Sequence, residues 1–180
     1  MHSSAPSQAT GPVVKHRLYT EAQRLRRDAS VWTLVQGILA PIQFAIFLTS
    51  LILVLRYLST GLGYEAATLS VVVKTCALYL IMITGAIWEK VVFGQYLFAP
   101  AFFWEDVFSF AVIFLHTLYL YGLFSGVFAP DTLMYIALAA YVAYVINAGQ
   151  FLWKLRVARL EYASATAAAI RITSNPQVAA

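Results

Sequence analysis

The sequence predicts an all-α integral membrane protein: a bundle of four transmembrane helices preceded by a short N-terminal interfacial helix. Three observations support this fold class. Hydrophobic residues make up 61% of the 180 positions and charged residues only 11%, whereas a soluble domain carries about 25% charged residues. Four stretches are long enough to cross the hydrocarbon core, which needs about 20 apolar residues. These stretches are continuous rather than alternating, which favours helices over a barrel.

The N-terminal segment divides into a tail and a helix. Residues 1–17 are mostly small and polar and lack the charged start and apolar core of a signal peptide, so they are predicted to be a disordered tail. The following LYTEAQRLRRD (18–28) has sparse apolar positions and dense cations. It is predicted to be a short interfacial helix whose basic residues meet anionic lipid headgroups.

The transmembrane domain is predicted over residues 18–162, with a flexible tail over 163–180. Its second span contains one charge, Lys74, and its fourth contains none. The predicted spans are Val31 to Leu58, Ala66 to Trp88, about Ala101 to Phe124, and Thr132 to Trp153.

Basic residues are concentrated at the two ends of the chain. Nine of the twelve Lys and Arg residues precede the first span or follow the last one. The positive-inside rule therefore places both termini in the cytoplasm, which agrees with an even number of spans. The connection from Glu89 to Pro100 then lies on the same side. Basic residues that flank spans argue against nucleic-acid binding.

Aromatic residues lie near the predicted helix ends, and they are typical of an interfacial belt. These residues are Trp32, Tyr57, Trp88, Trp104 and Trp153.

Three of the eight acidic residues lie in GAIWEKVVFGQYLFAPAFFWEDVFSF (85–110). Glu89, Glu105 and Asp106 are simply solvated if this segment only borders the membrane. The alternative follows from their setting between Trp88 and Trp104, in a loop rich in apolar and aromatic residues. Such a loop is expected to fold back onto the bundle or the membrane surface, and partial desolvation favours the protonated form of a carboxyl group.

His116 is the one histidine inside a predicted span. At helical spacing it shares a face with Glu105, Ser109 and Val112. An ionisable side chain at this depth is expected to face the bundle interior. Three roles stay open for it: a structural hydrogen bond, a ligand to a metal or metallated pigment, and proton transfer.

Lys74 lies in the half of the second span that is predicted to be outer. It either snorkels to the outer interface or has an internal partner such as a substrate carboxylate. Amides add polar groups to the first and fourth spans: Gln36, Gln43, Asn147 and Gln150. They either join helices, as polar groups in lipid often do, or line a wet cavity.

Four blocks of the sequence resemble the vinyl bacteriochlorophyllide hydratase family of bacteriochlorophyll synthesis. They are WTLVQGILAPIQF (32–44), LRYLSTG (55–61), IWEKVVFGQYLFAPAFFWEDVFSF (87–110) and YVINAGQFLWKLRVARL (144–160). The likeness covers roughly Leu18 to Glu161, and the third block is long and unusual in composition.

The resemblance implies a hydro-lyase that adds water across the 3-vinyl group of a chlorophyllide-type macrocycle and forms a 1-hydroxyethyl group. It implies a bacterial inner or intracytoplasmic photosynthetic membrane. No cofactor is required, because the magnesium belongs to the substrate. The expected partners are the tetrapyrrole, lipid, other enzymes of the pathway and a second copy of the chain.

The site residues follow from what this reaction needs, which is an acid, a positioned water and an apolar pocket. Glu105 or Asp106 is predicted to protonate the vinyl group, with Glu89 assisting. His116 is a candidate axial ligand to the substrate magnesium. The remaining predicted substrate contacts are Trp88, Trp104, Lys74, Asn147 and Gln150.

Two other function classes fit parts of the pattern. A pigment carrier or an assembly subunit of a photosynthetic complex would use His116 and the aromatic walls but would need no acid. A small transporter is disfavoured because no inverted repeat with broken helices is visible.

Overall fold

Five helices make up residues 18–173, the part of the chain that the computed structural model describes. They are α1 (Glu21–Ala29), α2 (Val31–Thr60), α3 (Tyr64–Phe93), α4 (Phe103–Ser125) and α5 (Pro130–Thr173). Helices α2 to α5 are each long and apolar enough to cross a membrane. The predicted all-α membrane bundle with a short N-terminal helix is therefore confirmed.

Helix α1 begins at a capping box. The Thr20 hydroxyl accepts from the backbone N–H of Gln23, and the Gln23 side chain accepts from the backbone N–H of Thr20. This reciprocal pair satisfies two backbone donors at the start of the helix. A single residue, Ser30, separates α1 from α2 and caps α2 through the backbone N–H of Trp32. The predicted tail 1–17 lies outside the described residues.

The outer surface of the bundle is apolar and its interior is partly polar. Large hydrophobic side chains such as Ile52, Leu80 and Phe114 are exposed around the circumference, while His116 and Lys74 are buried. A soluble protein shows the opposite distribution. This inversion is what lipid as the surrounding solvent requires.

The four long helices form two antiparallel hairpins, α2 with α3 and α4 with α5. Contacts within each hairpin are far more extensive than contacts between the hairpins, and α1 packs on the end of α3. We call this end of the bundle the α1 end. The apolar core fills the opposite half and centres on Phe47, Val54, Met134 and Tyr141.

The connection between α3 and α4 differs from the predicted one. Helix α3 continues five residues past Trp88, so Glu89 is helical, and the connection runs over 94–102 instead of starting at Glu89. The reason is the position of the stop signal. Gly94 adopts the left-handed conformation at φ 89° and its N–H closes the last turn on the Lys90 carbonyl, a common way to end a helix.

Helix α5 is longer than its predicted span. It continues past Trp153 to Thr173 and so enters the region predicted as the C-terminal tail. Only its first part, Pro130–Ser164, has the composition of a membrane span. Residues 174–180 lie outside the described part of the chain.

Candidate functional site

Two buried carboxyl groups meet between the hairpins at the α1 end. Glu89 is on the last turns of α3 and Asp106 on the first turn of α4, and they are 5% and 3% exposed. Their side chains lie within hydrogen-bonding reach of each other. A carboxylate only accepts hydrogen bonds, so a bond between two carboxyl groups requires one proton between them. We call Glu89 and Asp106 the carboxyl pair.

The α3–α4 connection folds back over the carboxyl pair, as predicted from its apolar composition. The backbone N–H of Phe98 donates to Asp106 Oδ2 at 2.6 Å, and that of Ala99 donates to Glu89 Oε2 at 3.3 Å. Phe98 has a φ of 58°, in the left-handed region. This conformation is unfavourable for a bulky residue. It aims the Phe98 N–H at the carboxyl, and backbone strain of this kind is concentrated at functional sites.

Glu105 lies beside the carboxyl pair but has a different partner. Lys154, on α5, places its Nζ 2.5 Å from Glu105 Oε2 and also donates to the carbonyl of Ala101. The side chain of Glu105 is 7% exposed and that of Lys154 is 25% exposed. This shielded ion pair ties α5 to the start of α4 and to the loop before it.

Lys154 is a site residue that sequence reasoning missed, because it was counted only as a basic residue flanking the last span. A signal was present. In an antiparallel hairpin the start of α4 and the end of α5 lie at the same depth, so Glu105 and Lys154, as charges bordering these two spans, are natural partners.

A cavity of about 610 Å³ opens next to this ion pair. Its size is within the usual range for ligand pockets of about 300–1,000 Å³. Glu105, Lys154 and Gln150 supply its polar wall. The remaining lining residues come from α1 and its approach, the α3–α4 connection and α5: Leu18, Thr20, Gln23, Phe93, Pro100, Ala101, Trp153, Val157 and Glu161.

An aromatic cluster lies behind the cavity. The ring of Trp88 meets those of Phe93 and Phe102 edge-on at 5.8 and 5.6 Å, and its Nε1 donates to Thr33 Oγ1. Tyr19 stacks on Phe93, and burial raises the pKa of its phenol. Phe93 lines the cavity, and Phe102 is buried behind it. Trp88 is thus placed beside the predicted acids.

Trp104 is not brought to the same place. It is 66% exposed on the outer surface of the bundle, against the edge of Phe103. This position is typical of the interfacial belt that was predicted for it.

His116 lies farther along α4 and faces the interior, as predicted. It is completely buried on the same helical face as Glu105, Ser109 and Val112, all of which are buried. Its Nδ1 donates to the Val112 carbonyl at 2.8 Å, because a carbonyl can only accept. The lone pair of Nε2 is then free, and no hydrogen-bond partner for it exists among the described residues. Histidine ligands of metals are commonly held in this way.

Of the two alternatives left open for Lys74, the structure excludes the one in which it snorkels to the outer interface. Its side chain is completely buried, and its Nζ lies 3.7 Å from the centre of the Tyr144 ring on α5. The physical reason is the direction of the side chain. The α3 face that carries Lys74 turns toward the other hairpin, and the Tyr144 ring attracts the cation there.

The predicted amides do not line one common cavity. Gln36 Nε2 donates to Thr84 Oγ1 at 2.7 Å and joins α2 to α3, while Asn147 Nδ2 donates to Ser109 Oγ at 2.8 Å and joins α5 to α4. Both act as links between helices. Gln150 is the one that borders the cavity, and its Oε1 has no partner among the described residues. Gln43 is buried in α2.

A family profile and two similar proteins all carry the same description. The sequence profile of the family described as 2-vinyl bacteriochlorophyllide hydratase matches residues 19–157. A protein of Cereibacter sphaeroides named 2-vinyl bacteriochlorophyllide hydratase is 70% identical over 160 residues, which are 88% of this chain and 99% of that protein. One of the same name from Rhodobacter capsulatus is 72% identical over 148 residues, which are 82% of this chain and 85% of that protein. No solved structure matches.

Proposed function

Since this chain belongs to the 2-vinyl bacteriochlorophyllide hydratase family, we propose that it adds water across the ring vinyl group of a bacteriochlorophyllide-type tetrapyrrole. The family name numbers this position 2 and the sequence prediction numbered it 3; the older and newer numberings of the macrocycle account for the difference. The observation that carries the proposal is a cavity of about 610 Å³ whose wall includes Glu105, the residue that precedes Asp106 of the buried carboxyl pair. Family membership favours an enzyme over a pigment carrier or a transporter.

The reaction needs an acid and a base in one place. A proton adds to the terminal vinyl carbon, and the cation forms on the carbon attached to the ring, where the macrocycle delocalises it. Water attacks that carbon and then loses a proton, which leaves a 1-hydroxyethyl group. One proton is consumed and one is released, so no oxidant or reductant takes part. General acid–base assistance of this kind contributes about 10²–10⁴-fold.

The carboxyl pair matches these two proton transfers. The proton held between Glu89 and Asp106 is the one delivered to the vinyl carbon, and the resulting carboxylate accepts the proton that the water loses. Backbone N–H groups of Phe98 and Ala99 already bind these carboxyls. They stabilise the charged form when it appears during the reaction. The pair therefore acts as acid and then as base.

Glu105 is proposed to position the water. One of its oxygens is paired with Lys154, and the carboxyl group has a second oxygen that can accept a hydrogen bond from water. It lies on the cavity wall, one residue before Asp106. This assignment refines the sequence prediction, in which Glu105 and Asp106 were equal candidates for the acid.

The macrocycle is proposed to enter through the cavity, with Trp88 and Gln150 beside it. Ligation of its magnesium by His116 conflicts with this position. His116 lies ten residues beyond Asp106, which is about 15 Å along α4 and more than the distance from the centre of a chlorin ring to its vinyl group. We therefore propose that the carboxyl groups, and not His116, define where the ring binds during hydration. Asn147 and Trp104 are not required contacts in this arrangement.

The chain is a multi-pass membrane protein, and three finer statements are proposals. Both termini face the cytoplasm of a bacterial inner or intracytoplasmic membrane, since basic residues flank the spans at the α1 end. No cofactor takes part, because the magnesium arrives with the substrate. A second copy of the chain and other enzymes of the pathway are proposed partners, together with lipid.

The test is hydration by membranes that contain the protein. A 3-vinyl chlorophyllide is supplied, and the product is examined for the added mass of one water. Glu89→Gln and Asp106→Asn should each lower the turnover number by about 10²-fold or more, because either change removes a proton carrier. Binding of the pigment, measured in parallel, should change little.

Glu65→Gln is the matched control, since Glu65 is exposed in the first turn of α3 at the opposite end of the bundle. It should hydrate as the wild type does. Wild-type turnover in both Glu89→Gln and Asp106→Asn would contradict the proposed acid. Absence of any hydrated product with the unmodified protein would contradict the function itself.

A further inference from the structure

The α5 wall of the cavity carries an amide whose buried oxygen lacks a donor. Gln150 borders the cavity together with Glu105, and its Oε1 has no hydrogen-bond partner among the described residues. We propose that Gln150 Oε1 binds the water that adds to the vinyl group, as the second acceptor beside Glu105. This inference rests on the proposed function, because it assigns the second hydrogen bond of the same water.

Two contacts between α4 and α5 fix the depth of Gln150. Lys154 Nζ lies 2.5 Å from Glu105 Oε2. Asn147 Nδ2 lies 2.8 Å from Ser109 Oγ. Gln150 comes between the two α5 residues of these contacts, just as the α4 member of the carboxyl pair comes between the two α4 residues. Because the two helices are antiparallel, Gln150 lies at the depth of the carboxyl pair to within about one helical turn.

Gln150 also faces the right way, because it shares a helical face with both of these α5 residues. Asn147, Gln150 and Lys154 are three and four residues apart, the spacing that puts side chains on one side of a helix. The outer two bind α4, so this face turns toward α4. Asn147 Oδ1 also has no partner among the residues that the structure describes. Two buried acceptors without donors, one turn apart beside a cavity, indicate that water binds here.

The polar groups around this place offer acceptors to a water rather than donors. The Lys154 ammonium is already engaged by Glu105 Oε2 and by the carbonyl of Ala101. A water that donates one hydrogen to the other oxygen of Glu105 and one to Gln150 Oε1 keeps a lone pair for the vinyl cation. The new C–O bond forms from that lone pair, and the proton that the water then loses goes to the carboxyl pair. Gln150 is a neutral amide, so it holds the water without taking this proton.

Reaction in deuterated water separates this role from that of the acid. The carboxyl pair adds a deuteron to the terminal vinyl carbon, and the resulting cation has two fates. Capture by water gives the hydroxyethyl product, whereas loss of a proton back to the carboxylate returns the vinyl compound with deuterium in place of hydrogen. Mass spectrometry of the product and of the recovered substrate measures the ratio of exchange to hydration.

Gln150→Met nearly keeps the size of the side chain but removes the acceptor. It should raise the ratio of exchange to hydration about tenfold, which is the effect of losing one hydrogen bond. Exchange itself should continue, and pigment affinity should change little. Gln150→Glu keeps an acceptor oxygen and should restore part of the hydration. Asp106→Asn should instead lower exchange and hydration together, because it removes the proton carrier that both fates require.

Gln43→Met is the matched control. Gln43 is a buried amide on α2 whose Oε1 likewise has no partner within the described part of the chain, but it is not one of the residues that line the cavity. It should keep the wild-type ratio.

An unchanged ratio in Gln150→Met overturns the inference and leaves the proposed function standing. Absence of both exchange and hydration with the unmodified protein contradicts the proposed function, and the inference with it. If Gln150→Met does not fold, Gln150→Asn gives the same test, because it keeps the amide but withdraws the oxygen by one methylene group.

Discussion

Removing the positive charge of Lys154 should destabilise the α1 end of the bundle. In Lys154→Met, the Glu105 carboxylate keeps its 7% exposure but loses its ionic partner, and the Ala101 carbonyl loses its donor. Breaking a buried ion pair by removing one partner costs about 3–5 kcal/mol. The Lys154 side chain is 25% exposed, so solvent screens part of this term, and we expect a loss of about 2–3 kcal/mol.

A double-mutant cycle measures this coupling. Unfolding of the wild type, Lys154→Met, Glu105→Gln and the double variant is followed in the same lipid and detergent mixture. The double variant should be more stable than Lys154→Met, because no buried carboxylate is left without a partner. Arg156→Met is the matched control, since Arg156 is exposed on the same helix, and it should stay within about 0.5 kcal/mol of the wild type. Equal stability of Lys154→Met and Arg156→Met would refute the reasoning.

Three further predictions test packing, the position of the macrocycle and topology. Gly122→Ala should destabilise the bundle by about 1–3 kcal/mol, because the added Cβ would lie 2.2 Å from the Phe128 ring. Gly149→Ala is the control and should not destabilise it, because a Cβ at that position meets no atom within 4 Å. Unfolding measurements that show equal stabilities for the two variants would contradict this prediction. His116→Ala and His116→Gln should both bind the pigment as the wild type does, because His116 lies ten residues, or about 15 Å, beyond Asp106 on α4; weaker binding in His116→Ala than in His116→Gln would contradict this placement of the ring. A reporter fused after Ala180 should read as cytoplasmic, and an external signal would overturn the predicted topology.

The membrane spans could be predicted because each one depends only on the hydropathy of its own residues. A run of about 20 apolar residues can satisfy its backbone in lipid only as a helix, and the predicted start of the first span, Val31, is the start observed for α2. The inward face of α4 was predictable for a similar reason. Helical periodicity alone aligns Glu105 with His116, and both are buried.

The partners of the charged side chains were not predictable in the same way. The sequence left Lys74 either at the outer interface or with an internal partner, and the structure buries it against Tyr144 on α5. Lys154 was counted as a flanking cation, and the structure pairs it with Glu105. In each case the partner lies on another helix, and the rotation of one helix against another is set by packing across the bundle, which no local pattern reports.

The sequence by itself determined that lipid surrounds the protein, how many spans it has, its fold class and, through its resemblance, its family. Each of these depends on composition, on local periodicity or on contiguous motifs. Only the tertiary structure decided that Glu89 and Asp106 are buried together, and that a backbone turn at Phe98 covers them. These contacts join α3, the connection after it and α4, and their geometry depends on how far α3 continues before Gly94 ends it. A difference of five residues at that end changes which side chains meet, and the physical reason is that each helical residue turns its side chain by a fixed angle about the helix axis.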